Sequence, residues 1–209
     1  MDETNVSASV PASRAWRLLR LAALALLGLA GLVVVLIAAG VFDPRPSGPL
    51  VHTDKPGIHT LADTGTTTIL QSVPWLAPPG RFSVRLRAAY VDGQTDIGYG
   101  LGLGDEAGRL VVAVSPAGFV SIWEERGGEI INHLPWQPWP HVRNGRAENE
   151  VWLDVAANGD ISQATARVNR EHLWQGEIGG LSPQVALWLG SFDGPATVDF
   201  RALEWFATP

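Results

Sequence analysis

The chain has 209 residues, 46% of them hydrophobic and 17% charged, with 15 basic against 21 acidic side chains and no cysteine. Without thiols there is no disulfide framework, no thiolate chemistry and no lipid-modified cysteine anchor. The negative balance falls on residues 43–209, with 12 basic and 19 acidic side chains, a surface that repels a phosphate backbone and excludes nucleic acid as a partner.

The first element lies near the N-terminus. Leu21 to Phe42 is a run of 22 residues without a charge or a strongly polar side chain, and a helix needs about 20 apolar residues to cross a bilayer. A transmembrane helix is therefore expected over 21–42, with the bilayer as its partner. Arg14, Arg17 and Arg20 precede the run, and positive charge stays on the cytoplasmic side. Together with Trp16 they are the expected membrane-interface residues, residues 1–20 the expected cytoplasmic tail, and the C-terminal part is expected outside the cell. The rival reading is a cleaved signal peptide ending at Ala38, Ala39 and Gly40, which makes the protein secreted. Signal cores run to about 7–15 residues, so length favours the single-pass anchor.

Residues 43–56 are expected to form a stalk, stiffened at its start by Pro44, Pro46 and Pro49. Beyond it, residues 57–209 change rhythm. Phe82, Val84, Leu86, Ala88 and Tyr90 alternate with Ser83, Arg85 and Arg87, and the same period of two recurs at Ile97–Leu103, Leu110–Val114, Val151–Val155 and Val198–Ala202. Half-buried strands have that period. Asp92-Gly93, Pro116-Ala117-Gly118, Gly127-Gly128, Asn158-Gly159 and Asp193-Gly194 fall between the runs as turns. Asn158-Gly159 has the chemistry of a type I′ hairpin. An all-β fold follows, an antiparallel β-sandwich behind one N-terminal transmembrane helix. Pro135 to Asn149 breaks the rhythm and is expected as a long loop, either functional or a crossover between sheets.

The order of segments from Gly57 to Phe206 resembles the concanavalin A-like jelly-roll superfamily, in the branch shared by laminin-G-like and 3-keto-disaccharide hydrolase-like domains. The strand Phe82–Tyr90 precedes the glycine-rich Ile97-Gly98-Tyr99-Gly100-Leu101-Gly102-Leu103. Val114-Ser115-Pro116-Ala117-Gly118-Phe119 follows, then Trp139, Gly145 and Asn149 before Val151–Val155. Val168-Asn169-Arg170 stands where the family has a Val-Asn-Gly element, with Arg170 in place of glycine. The resemblance implies a jelly roll whose relatives are glycan binders and, in part, glucanases.

Glycoside hydrolysis needs a pair of carboxyl groups. Glu150, Trp152 and Asp154 alternate on one face of a strand and make Glu150 and Asp154 the candidates, although the same row fits the polar outside of an ordinary sandwich strand. Glu124-Glu125 with Glu129 reads as a solvated hairpin tip. The five histidines lack the spacing of a zinc site, Ser115 lacks a nucleophile elbow, and Gly98, Gly100, Gly102 and Gly104 alternate instead of forming a dinucleotide loop. Neither a metal nor a cofactor is expected. The bare glycine face leaves room for packed aromatics or for a ligand.

Eight of the nine tryptophans lie beyond residue 42, and tryptophan faces stack on sugars as well as filling cores. Alternation assigns Trp123 and Trp205 to core positions. Trp136, Trp139 and Trp174 fall in or beside connections, and with His141 and Asn169 they are the candidate ligand surface. The leading expectation is a non-catalytic binding module for a glycan, an envelope polymer or an envelope protein. A hydrolase-like enzyme and a structural envelope scaffold are the alternatives.

Overall fold

A computed structural model describes residues 12–39, 41, 43–71, 80–158, 161–179, 181–182 and 184–207. It divides into two compact units, Met1–Pro44 and Arg45–Pro209.

The first unit contains helix α1 (Ala12–Ala38), of which Ala15–Ala38 is long and apolar enough to cross a membrane. It starts well before Leu21 because the arginines and leucines there are good helix formers. The Arg20 guanidinium also sits 5.2 Å from the Trp16 ring, one turn back, a helical spacing that supports the first turns. Arg14 and Arg17 lie on the same helix, and described side chains begin at Ala15. Pro44 denies the chain a further helical donor.

The second unit consists of two antiparallel sheets. In chain order its strands are β1 (Leu50–Asp54), β2 (Gly57–Leu61), β3 (Gly65–Gln71), β4 (Arg81–Gly93), β5 (Ile97–Gly104), β6 (Gly108–Val114) and β7 (Phe119–Arg126). They continue with β8 (Glu129–Pro138), β9 (Asn149–Asn158), β10 (Ile161–Val168), β11 (Glu171–Gly179), β12 (Val185–Ser191) and β13 (Ala196–Ala207). One sheet runs β1-β13-β4-β9-β10-β11, with β2 also paired to β13, and the other runs β3-β12-β5-β6-β7-β8. This is the expected β-sandwich of jelly-roll type. β1 falls inside the segment expected as stalk, because Leu50 to Asp54 pair with the end of β13.

The period of two translates directly into packing. Val84, Leu86 and Ala88 of β4, Val151 and Leu153 of β9, Tyr99 and Leu101 of β5, and Leu187 and Leu189 of β12 meet in one core between the sheets. Burying a side chain such as Leu86 or Phe200 completely contributes about 1.5–3 kcal/mol. Trp205 belongs to this core, whereas buried Trp123 belongs to a second cluster.

Two local features depart from expectation. The stretch from Pro135 is strand as far as Pro138 and irregular only afterwards. β8 is the edge of its sheet, where a proline's missing N–H leaves no ladder bond unmade. Gln137 pairs with Val120 and Leu134 with Ile122, so Pro135 and Trp136 together oppose Ser121 in a β-bulge. The second feature is a tight hairpin at Asn169-Arg170, between paired Val168 and Glu171, with φ of 51° and 75°. Arg170 takes the left-handed conformation that a type I′ turn demands at both central positions. At the expected Asn158-Gly159 hairpin, Asn158 pairs with Ile161, and the connection itself, residues 159–160, lies outside the described residues.

Candidate functional site

The alternating glycines of β5 leave their face bare on the side away from the core; tryptophan rings fill the space over Gly98 and the Arg109 stem that over Gly102. Val111, Ala113, Trp123 and Trp188 form a cluster on this outer face of the six-stranded sheet. Trp188 meets Trp123 edge to face at 4.8 Å, Trp136 follows at 6.3 Å from Trp123, and Phe192 stands edge-on to Trp136 at 6.2 Å. A methyl group placed on Gly98 would come within 2.7 Å of the Trp136 ring and 2.9 Å of Trp188. Both rings therefore lie directly on that glycine. The bulge in β8 places Trp136 at the edge of this array, and bulges commonly re-aim side chains in this way.

The polar end of the same face is built on Arg109, whose stem would lie 2.9 Å from a methyl on Gly102. Its guanidinium donates to Thr68 Oγ1 at 3.0 Å and sits 3.5 Å from Glu125. Glu125 in turn accepts a hydrogen bond from Trp123 Nε1 at 3.1 Å. The aromatic row thus ends in a fixed Arg–Glu pair.

At the other end the row opens into a pocket of about 330 Å³ lined by Asp96, Ile97, Ser115, Ala117, Phe119, Trp136 and Phe192. Three of its aromatics face solvent, with Trp136 36%, Phe119 37% and Phe192 51% exposed. The rim is tied together by backbone bonds, Phe192 N to Asp96 O at 3.0 Å and Gln94 N to Pro195 O at 2.9 Å. Ser115 Oγ accepts from Ala117 N at 3.2 Å within its own turn, which shapes the rim.

The other sequence candidates lie elsewhere. Trp139, His141 and Asn169 come together around the loop after β8, with Trp139 and His141 rings 5.9 Å apart and Asn169 Nδ2 donating to His141 O at 2.6 Å. Asn169 also donates to Asn149 Oδ1 at 2.8 Å and accepts from Glu150 N at 2.8 Å. Its amide is engaged in holding backbone. Trp139 packs half-buried against the core, and so does Trp174, which meets His133 at 5.0 Å. Trp136 alone of the five lines the aromatic pocket.

The carboxylates have partners of their own. Asp154 accepts from Trp152 Nε1 at 2.8 Å and from Ser83 Oγ, and pairs with Arg167 at 3.4 Å. Glu150 lies 3.8 Å from Arg85, which is held at 2.8 Å by Glu204. Trp152 is fully buried although it points away from the core, with Arg85 above its ring at 6.0 Å. Glu124 corrects the solvated-tip expectation. It is 4% exposed and paired with Arg126 and, at 3.5 Å, with His133, because a bulge leaves His133 unpaired in the ladder and near it. Among the described residues no group of three or more His, Asp or Glu side chains is placed to hold a metal ion.

Sequence reasoning missed Trp188, Phe192, Phe119 and Asp96. Trp188 was legible, since it alternates with the inward Leu187 and Leu189. The other three required knowing which turns share one end of the sheet.

No protein-family model matches the chain, and no curated protein matches it. Among solved structures, a Crh5 transglycosylase in complex with NAG is similar with a TM-score of 0.52 at 10% identity, covering 80% of this chain and 89% of that one. The CBM40 of a Ruminococcus gnavus IT-sialidase, bound to alpha2,3 sialyllactose, gives 0.47 at 16% identity over 76% of this chain and 92% of its own. Sheep galectin-11 in complex with glycerol gives 0.46 at 11% identity over 70% and 99%. What is shared at such identities is the sandwich fold.

Proposed function

We propose that the sandwich is a glycan-binding module, tethered to a membrane by α1 and displayed outside the cell. The observation that carries it is the solvent-facing row of Trp136, Phe192 and Phe119 around a preformed pocket with Asp96 at its rim. Aromatic faces stack on the apolar faces of sugar rings while a carboxylate accepts from hydroxyls, and pockets of this size with few polar groups take small ligands. The Crh5 transglycosylase contributes the fold to this reading, and the ligand class comes from the aromatic face.

Binding is favoured over hydrolysis because Asp96 is the single carboxylate among the described residues lining the pocket, and hydrolysis of either stereochemistry uses a pair. Asp154 is committed to Arg167, Ser83 and Trp152 on the other sheet, where Glu150 lies 3.8 Å from Arg85. In this reading Trp136 contacts ligand, while Trp139, Trp174 and Asn169 hold the end of the sandwich, with His141 beside Trp139. Within the concanavalin A-like group we place the chain near the laminin-G-like and 3-keto-disaccharide hydrolase-like branch, supported by the ordered positions of Trp139, Gly145 and Asn149. The tether is supported by the exposed apolar helix with Arg17 and Arg20 at its N-terminal side.

The test is a glycan array probed with the full chain in detergent micelles. Binding to a defined uncharged glycan that Trp136→Ala abolishes and Glu150→Gln leaves intact is the expected result. Binding to no uncharged glycan, or uncharged-glycan binding indifferent to Trp136, overturns the reading.

A further inference from the structure

On the outer face of the other sheet lies a second cavity of a different chemistry. Its volume is about 410 Å³ and its walls are Arg87, Arg143, Glu148, Glu150, Asn169 and Arg170. Residues 43–209 carry a clear excess of acidic groups, yet three of these six side chains are arginines. Arg143 has no carboxylate partner among the described residues. Its guanidinium donates to the Glu148 backbone carbonyl at 3.2 Å, so its charge is not neutralised by an acidic group. Arg87 approaches Glu204 no closer than 3.8 Å, and its Nε has no hydrogen-bond partner. Glu150 Oε1 is without a hydrogen-bond partner as well, whereas Glu148 is paired with Arg201 at 3.2 Å.

We propose that this cavity binds a hydroxylated carboxylate of the uronic-acid class. Guanidinium forks match a planar carboxylate in two-point hydrogen bonding, which Arg143 and Arg87 have the spare donors to supply. The carboxylates of Glu148 and Glu150 accept from hydroxyls, and the broad terminal torsion of a glutamate lets the unpartnered oxygen of Glu150 turn toward them. The same two carboxylates repel a phosphate, which brings more charge and no comparable set of hydroxyl donors. A monoanion with neighbouring hydroxyls satisfies both halves of the wall. Asn169 contributes shape, since its amide is occupied by Asn149, His141 and Glu150. The cavity takes small ligands by size, within the range of about 300–1,000 Å³.

This site stands apart from the aromatic pocket, and the two are tested separately. Full-length protein in detergent micelles is titrated calorimetrically with sodium glucuronate, glucose and inorganic phosphate. The expected result is saturable glucuronate binding that exceeds both glucose and phosphate by about tenfold or more, the scale of losing a charged hydrogen bond or adding a repulsive one. Arg143→Gln, at an exposed position, is expected to weaken glucuronate binding about tenfold without a change in Tm, and Trp136→Ala to leave it unchanged. Absence of glucuronate binding, phosphate or glucose binding of equal strength, or glucuronate binding unaltered by Arg143→Gln overturns the proposal.

Discussion

Asn149 Nδ2 donates to the Tyr99 hydroxyl at 3.1 Å, joining β9 of one sheet to β5 of the other inside the core. The same amide donates to Arg143 O at 2.9 Å, and its oxygen accepts from Arg143 N and Asn169 Nδ2, both at 2.8 Å. One fully buried side chain thus closes the long loop, the β10–β11 hairpin and the sandwich interior onto each other. In the sequence this asparagine shows only as part of the ordered Trp139, Gly145, Asn149 series ahead of a strand.

Removing that amide strands several buried groups at once. Asn149→Ala is expected to cost about 2–4 kcal/mol in urea unfolding, since each buried orphan costs about 1–3 kcal/mol and relaxation recovers part. Tyr99→Phe is expected to cost less, and the pair to be non-additive in a double-mutant cycle. Additive losses would show that the two side chains do not share one network.

Burial raises the Tyr99 phenol above its ordinary value of 10.0, opposed in part by the hydrogen bond from Asn149. The folded chain then keeps a proton that the unfolded chain releases. The resulting stabilisation is complete below pH of about 10 and declines as pH rises toward the folded value, by up to about 1.4 kcal/mol per unit. Tyr99→Phe is expected to flatten the fall in stability between pH of about 10 and 11. Equal slopes in the two proteins would remove Tyr99 as its source.

Gly98→Ala tests the aromatic pocket without deleting an aromatic ring. The new methyl would meet Trp136 at 2.7 Å and Trp188 at 2.9 Å, so the exposed Trp136 ring must move. Overpacking of this kind costs about 1–3 kcal/mol. Glycan binding should fall nearly as far as in Trp136→Ala, which intact binding in Gly98→Ala would contradict.

For the acid–aromatic–acid row a structural role makes a prediction that a catalytic role does not. Asp154→Ala removes the acceptor for Trp152 Nε1 and Ser83 and the partner of Arg167. Chemical denaturation should show a loss of about 1–3 kcal/mol. A neutral or stabilising effect, as expected when a strained catalytic acid is deleted, would point back to chemistry at Asp154.

Much of the fold was legible because burial in a sandwich obeys a local rule. A strand with one face on the core alternates, and the inward residues of β4, β5, β6 and β9 follow from that period, whereas in β13 a bulge after Phe200 shifts the phase and turns Leu203 and Trp205 inward instead of Ala202. The apolar helix was equally plain, since bilayer thickness sets a length that can be counted, although its N-terminal end was not, because nothing in Arg14 to Arg20 interrupts helical propensity. The loop after Pro135 was misjudged for a local reason too. Prolines deny a strand its donors only where a neighbouring strand needs them, and an edge strand has one side free.

The sequence by itself determined the class of structure, an antiparallel β-sandwich behind one apolar N-terminal helix. Tertiary structure alone decided which residues meet. Asp96, Phe119 and Phe192 reach Trp136 only because three separate turns lie at one end of the sheet, Arg87 and Arg143 share a cavity only across paired strands and a loop, and Glu124 is buried between Leu110 of β6 and Ile131 of β8, its ladder partners on either side. Periodicity is a property of neighbours along the chain and helps set register, whereas a site also depends on strand order, which brings together residues far apart in the chain.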